Sequence, residues 1–253
     1  MSGQRPRVVL FFRDGLFARV FLRRFISTLN LDVVGFVLSS SYLQRGKHPL
    51  SDLASFIAKV GVSYALYQAR VSCLAPFLCT GRPTIRTMID QLAMPTHVTT
   101  DVNSEHSKIW LNDLNADFFL SFHFNQRFSP DVLSLPSTAA LNFHPSLLPN
   151  YRGVDPVLFA LADRQPSLGL SIHLLSDALD EGDILLQEHY PVSSLSLISN
   201  NIHLFDKGGA LAAHVIDDFE NYYAKREKQL CDGARYYGWD QVKNVSLRKM
   251  AWR

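Results

Sequence analysis

The sequence predicts an α/β fold, a mainly parallel sheet flanked by helices, and three observations carry that prediction. The chain opens on a continuous apolar run, Arg7-Val8-Val9-Leu10-Phe11-Phe12, ended by Arg13-Asp14-Gly15, after which apolar residues take helical spacing from Leu16 to Leu29. A second buried run, Val33 to Leu38, follows, and repeated strand-helix-strand order favours right-handed crossovers and parallel pairing. The length of 253 residues, 47% hydrophobic and 19% charged, is enough to bury a full core and fits one decorated domain, 1–226, with a short C-terminal tail, 227–253.

Composition excludes several classes of function. Lys and Arg number 25 against 23 Asp and Glu, a net charge of +2, so the basic excess of a general nucleic-acid binder is missing and no nucleic-acid partner is expected. Cys73, Cys79 and Cys231 form neither a CxxC nor a His/Cys pattern. No metal site and no disulfide framework is expected, and sparse cysteines suit a reducing, cytoplasmic location. Met1 to Arg7 lacks an apolar run, so no signal peptide is read there.

The segment from Pro49 to Met94 is the least readable. Its apolar and aromatic stretch, Ser55 to Cys79, is interrupted by Lys59, Arg70 and Pro76, which argues against a membrane span and for packed helices. A membrane-surface or homodimer-forming element is the alternative for this stretch. A short helix from Thr84 to Leu92 and a strand near Pro95 to Val98 follow. Ser104 offers a weak cap to a helix running from Glu105 to Leu114, and Asp117 to Phe122 makes the next strand, with His123 to Pro130 as its exit loop.

Ala139 to Phe143 then reads as the end of a buried strand, which the prolines of Asn142-Phe143-His144-Pro145-Ser146-Leu147-Leu148-Pro149 prevent from continuing. Asn142 and His144 stand two apart on extended backbone, so their side chains share one face at the carboxyl end of a strand. Open α/β sheets keep their sites there. Asp155 to Asp163 reads as a helix, Gly169 to Leu175 and Ile184 to Tyr190 as strands, and Leu197 to about Arg226 as one long helix. On the first of these strands Ile172 and Leu174 face one side and Ser171 and His173 the other. His173 and His189 are read as structural.

The motif from Asn142 to Pro149, together with Leu179-Asp180-Glu181-Gly182-Asp183-Ile184-Leu185-Leu186-Gln187 downstream, resembles the signature of the 10-formyltetrahydrofolate-dependent formyltransferases. That family includes glycinamide ribonucleotide transformylase, methionyl-tRNA formyltransferase and the amino-sugar N-formyltransferases. The resemblance covers roughly Arg7 to Arg226 and implies a Rossmann-like formyltransferase fold, with 1–226 as the catalytic domain. It implies Asn142, His144 and Asp180 as catalytic residues, 10-formyltetrahydrofolate as co-substrate, and no metal. The exit loop lies where the family binds folate, which points to Phe124, Asn125, Gln126, Arg127 and Phe128, with Asp180 beside them. Backbone groups of this loop are expected to hydrogen-bond the pterin, with Phe124 or Phe128 as its wall. Tyr151-Arg152-Gly153 resembles the acceptor-side loop, so Arg152 and Gly153, with Arg13 at the first strand's end, are the expected substrate-binding residues.

The resemblance also departs in places. Arg13-Asp14-Gly15-Leu16-Phe17 does not match the Gly/Ser-rich phosphate loop of the glycinamide ribonucleotide transformylases. The tail leaves no room for the C-terminal domain of methionyl-tRNA formyltransferases. The expected activity is therefore formylation of a small-molecule amine or hydroxylamine, such as an amino-sugar nucleotide or a hydroxyornithine-type side chain. Asn142 and His144 would stabilise the developing oxyanion, while Asp180 would orient and favour the protonated imidazole and position a water for proton transfer. Alternatives are a 10-formyltetrahydrofolate hydrolase, a glycinamide ribonucleotide transformylase, and a catalytically silent Rossmann-like binding protein. Ser146 as a nucleophile is the weaker idea, because no GxSxG elbow is present.

Overall fold

The computed structural model describes residues 5–28, 30–40, 49–72, 85–192, 194–230, 232 and 234–245. The three cysteines and the last residues of the expected tail lie outside the described residues. In chain order the elements begin β1 (Arg7–Phe12), α1 (Leu16–Ile26), β2 (Asp32–Ser39), α2 (Pro49–Val60), α3 (Val62–Val71), α4 (Ile85–Leu92), β3 (Thr96–Thr99) and α5 (Glu105–Asp113). They continue with β4 (Phe118–Phe122), α6 (Pro130–Leu133), β5 (Ala139–His144), β6 (Arg152–Gly153), α7 (Pro156–Ala162), β7 (Ser167–Leu174) and β8 (Ile184–Pro191). The last are α8 (Leu197–Asp217), α9 (Phe219–Ala224), β9 (Tyr236–Tyr237) and α10 (Trp239–Val242).

Seven strands form one sheet in the order β3-β2-β1-β4-β5-β7-β8. The first five are parallel, and β7 and β8 extend the sheet antiparallel, a pairing not anticipated from the sequence. Strand β1, flanked by β2 and β4, is buried on both faces, which is why it reads as a continuous apolar run. Its Val8, Leu10 and Phe12 join a core shared with α1, α7 and α8, while Val9 and Phe11 face a second core with Leu111 of α5. Gly208 and Gly209 let α8 lie against the Phe143 ring and the Phe21 backbone, where an added Cβ would collide.

Two helices end earlier than their apolar spacing suggests. Helix α1 stops at Ile26, because Ser27 Oγ and Thr28 Oγ1 donate to the Arg24 carbonyl at 2.8 and 2.9 Å and compete with the helical ladder. The single long helix expected from Leu197 is two helices, broken at Asp218, whose φ of −116° and ψ of 38° leave helical geometry. Asp favours helix starts over helix interiors, and α9 restarts there. Ser104 is a working cap, since its Oγ accepts the Ser107 N–H. Described residues after 226 are stitched into the domain. Strand β9 pairs in parallel with β6, and Trp239 of α10 meets the Phe56 ring of α2 edge-on at 5.7 Å.

Candidate active site

The site follows from strand register. Strand β5 pairs with β7 so that Asn142 lies opposite His173 and His144 opposite Ser171, and all four share the face opposite Leu141, Phe143 and Ile172. The His173 Nδ1–H donates to the Leu174 carbonyl oxygen at 2.7 Å, which leaves Nε2 to accept the Asn142 Nδ2–H at 3.1 Å. Burial pushes the His173 pKa down to about 4, against a smaller upward pull from Asp180, so the ring is neutral and keeps that acceptor. A histidine read as purely structural thus fixes the rotamer of the Asn142 amide. The signal for it was its place on the Ser171 side of an alternating strand, and the missing fact was the register.

Asp180 reaches the same edge from the loop between β7 and β8. Its Oδ1 stands 3.6 Å from His144 Nδ1 and 3.9 Å from His173 Nε2, and its Oδ2 accepts the Gly153 N–H at 2.9 Å. Burial works to raise the Asp180 pKa, but the nearby His144, the Gly153 N–H and Arg152 outweigh it and hold the carboxyl below its ordinary value. His173, charged over the acid range in which Asp180 titrates, adds to the lowering. The His144 Nε2–H donates to the Tyr151 carbonyl oxygen at 3.1 Å, so both ring nitrogens face acceptors. Asp183, the competing carboxylate, points elsewhere and accepts from Arg226 Nε at 3.2 Å.

These groups open on a cleft of about 390 Å³ at the carboxyl ends of β1, β4 and β5, the point where strand order reverses. Phe124, Asn125, Gln126 and Arg127 of the β4 exit loop line it. The Gln126 amide is committed to holding the loop. Its Oε1 accepts the Val102 N–H at 2.7 Å, and its Nε2 donates to Ser39 Oγ and the Thr99 carbonyl at 2.8 and 3.0 Å. Arg127 donates across the cleft to the Asp177 carbonyl. Among the described residues, the backbone N–H groups of Phe124, Gln126 and Arg127 make no backbone hydrogen bond. Arg13 also lines the cleft, its Nη2–H donating to His123 Nε2 at 3.1 Å. Burial, aided by the Arg13 charge, drives the His123 pKa well down and keeps that ring a neutral acceptor.

Two expected contacts are corrected. Phe128 is buried in the second core, edge-on to Phe11 at 5.1 Å and stacked behind Phe124 at 5.3 Å, so it supports the ring that lines the cleft. The Arg152 guanidinium is committed to Glu181 and to the Ala234 carbonyl, and of that pair only Gly153 lines the cleft. A glycine is required at 153, where φ is +96° and a side chain would strike Tyr236 and Tyr237. Ser146 is no nucleophile here, since its Oγ donates to the Asn150 carbonyl at 2.9 Å and is buried.

Several lining residues were given no role by the sequence. Tyr64, Tyr67 and Gln68 come from α3, Asp155 from the turn before α7, and Tyr236 and Trp239 from the C-terminal segment. Burial and then the charge of Asp180 raise the Tyr236 pKa, keeping its hydroxyl a donor. His123, Tyr151, Asp155 and Asp180 all hold positive φ, between 43° and 57°. Backbone strain of this kind gathers where a structure over-determines a functional edge.

Residues 93–203 match the family model described as formyl transferase. The chain is 33% identical over 121 residues to a methionyl-tRNA formyltransferase of Clostridium acetobutylicum, a match covering 47% of this chain and 39% of that protein. A second, from Halothermothrix orenii, is 31% identical over 158 residues, covering 61% and 50%. The chain therefore spans half or less of the length of these curated relatives. Among solved structures, a 4-N formyltransferase from Francisella tularensis aligns with a TM-score of 0.59 at 20% identity over 97% of this chain and 83% of that one. Glycinamide ribonucleotide transformylase 1 from Symbiobacterium toebii aligns with a TM-score of 0.58 at 16% identity over 87% and 93%. Residues 93–203 thus match the formyl transferase family model, and the chain takes the fold of the solved formyltransferases.

Proposed function

We propose that the protein is an N-formyltransferase that moves a formyl group from 10-formyltetrahydrofolate to an amine or hydroxylamine of a small molecule. An amino-sugar nucleotide or a hydroxyornithine-type side chain is the acceptor class. The observation that carries this reading is the convergence of Asn142, His144 and Asp180 on one strand edge, with His173 locking the Asn142 amide. The cytoplasmic setting expected from the sparse cysteines is part of the same reading. Among the described residues no helix is long and apolar enough to cross a membrane.

The cleft suits the donor by the chemistry of its donor set. The Phe124 ring gives an apolar wall for a flat heterocycle, and the N–H groups of Phe124, Gln126 and Arg127, which make no backbone hydrogen bond among the described residues, give an edge of hydrogen-bond donors. When bound, the folate supplies the activated formyl group. Negative charge developing on the formyl oxygen would be met by the Asn142 amide and, once its Nε2–H leaves the Tyr151 carbonyl, by the His144 imidazole. Asp180 orients His144 and, with the Gly153 N–H fixing its second oxygen, leaves Oδ1 to hold a proton-carrying water between the two nitrogens. The test is incubation with 10-formyltetrahydrofolate and a panel of amines, read by mass spectrometry as the gain of one formyl group in place of hydrogen. Tetrahydrofolate release without any formylated amine would favour the hydrolase, and no turnover of the donor would overturn the reading.

A further inference from the structure

Tyr64, Gln68 and Asp155 form a polar relay in the cleft wall that the formyl-transfer step does not use. The Gln68 Nε2–H donates to Tyr64 Oη at 2.7 Å, and the Tyr64 hydroxyl donates to Asp155 Oδ2 at 2.8 Å. Tyr64 is fully buried, and its ring stands against Tyr67 at 5.4 Å and Trp239 at 6.1 Å. Each donor in the relay is spent on the next member, so the relay ends on a carboxylate, a group that only accepts. Asp155 itself lines the cleft, two residues along the loop from the Gly153 N–H that holds Asp180.

We propose that Asp155, oriented by Tyr64, is a specificity-determining residue that accepts a hydrogen bond from a hydroxyl of the formyl acceptor at a distance from its reacting nitrogen. The inference rests on the formyl-transfer reading and narrows its acceptor to a hydroxyl-bearing amine. An ionised carboxylate presents about four acceptor directions. The Tyr64 hydroxyl accounts for one of them, and the Leu158 N–H donates to the Asp155 backbone carbonyl instead. Asp155 is partly buried beside the Tyr64 and Trp239 rings, where a matched donor is worth more than in open water. Burial, and then the Asp155 charge, raise the Tyr64 pKa well above its ordinary value, so the relay keeps its direction. A phosphate or carboxylate presented at this wall would meet a like charge.

A purely structural pin between α3 and the loop would affect all amines alike, which gives the test. Binding of trans-4-aminocyclohexanol and of cyclohexylamine is measured by NMR titration on the wild-type protein, Asp155→Ala and Asp155→Asn, without folate. We expect the amino alcohol to bind about tenfold more tightly to wild type, as for one hydrogen bond to a charged group, and the ratio to fall to about one in Asp155→Ala. Asp155→Asn keeps the bond from Tyr64 and the shape. It reads the same collapse, to a ratio below about threefold, if the alanine variant does not fold. A wild-type ratio near one, binding of neither probe, or a ratio that survives both substitutions overturns the proposal. Binding of a reduced formylfolate analogue is measured separately. Its failure in wild type counts against the formyl-transfer reading, and its persistence in the variants shows an intact folate side.

Discussion

The two walls of the cleft are built by different rules. On one, Asn142, His144 and His173 are placed by strand alternation and by the β5–β7 register, with Asp180 delivered by the adjoining loop. On the other, Tyr64 of α3 meets Asp155 across 91 residues of chain, and Trp239 arrives from the C-terminal segment. The first wall is made of neighbours in a sheet and carries chemistry that needs fixed atoms. The second is made of long-range meetings and can vary without disturbing that chemistry. Substitutions on the first should therefore lower turnover with every acceptor, and substitutions on the second should alter which acceptor is used.

The sharpest test of that division is His144→Ala, which should reduce turnover by about two to four orders of magnitude while the protein stays folded. Steady-state kinetics beside a thermal melt checks it, and a loss below about tenfold in a folded variant would remove His144 from the chemistry.

Next in size is the contrast between two carboxylates. Asp180→Asn keeps shape but removes the charge beside His144, and should lower kcat by about two orders of magnitude. Asp183→Asn should cost only a few-fold, because that carboxylate faces Arg226. If Asp183→Asn is the more damaging change, the loop has been assigned wrongly.

The strand-built wall was largely legible in the sequence and the helix-built wall was not. Buried strands show as unbroken apolar runs, and period-two alternation already put Asn142 with His144 and Ser171 with His173. Which pair faces which depends on register, a tertiary fact, so His173 passed as structural. Arg152 was expected to bind substrate because its loop resembles the acceptor-side loop, but the guanidinium is taken by the nearby Glu181 carboxylate. Phe124 and Phe128 lie four apart in one loop and both meet the Phe11 ring of β1, so only the fold, which buries the second and leaves the first on the cleft, tells them apart.

That last pair gives a prediction of intermediate size. Phe124→Ala should weaken binding of a reduced folate analogue by about tenfold, as for loss of one stacking wall, with a modest effect on the melt. Phe128→Ala should do the reverse, destabilising the fold by about 3 kcal/mol through a core cavity while the folded fraction still binds folate. Calorimetry and chemical denaturation on both variants decide it, and equal effects on binding would place both rings in the folate wall.

The smallest expected effect reads the helix-built wall alone. Burial pushes the Asp155 pKa from its ordinary 3.8 up to about 6, with the Tyr64 hydroxyl and the Leu158 N–H pulling the other way. Between those two values the folded protein binds more protons at this site than the unfolded chain, so the stability that Asp155 contributes is full below pH 3.8 and is lost as pH rises through 6. Above that window the charged carboxylate is a burden to the fold that an amide of the same shape, still accepting from Tyr64, would not impose. Asp155→Asn should therefore be more stable than wild type at pH 7, by about 1–2 kcal/mol once solvent screening in the cleft is allowed for. The two should converge near pH 4. His173, neutral in the fold and charged in the unfolded chain over much of the same range, acts in the opposite sense, but it is common to both proteins and cancels in their difference. Denaturant midpoints across that range measure the difference directly. A variant less stable than wild type at pH 7 would mean that the carboxylate holds the fold together, and the division between a wall for chemistry and a wall for selection would lose its second half.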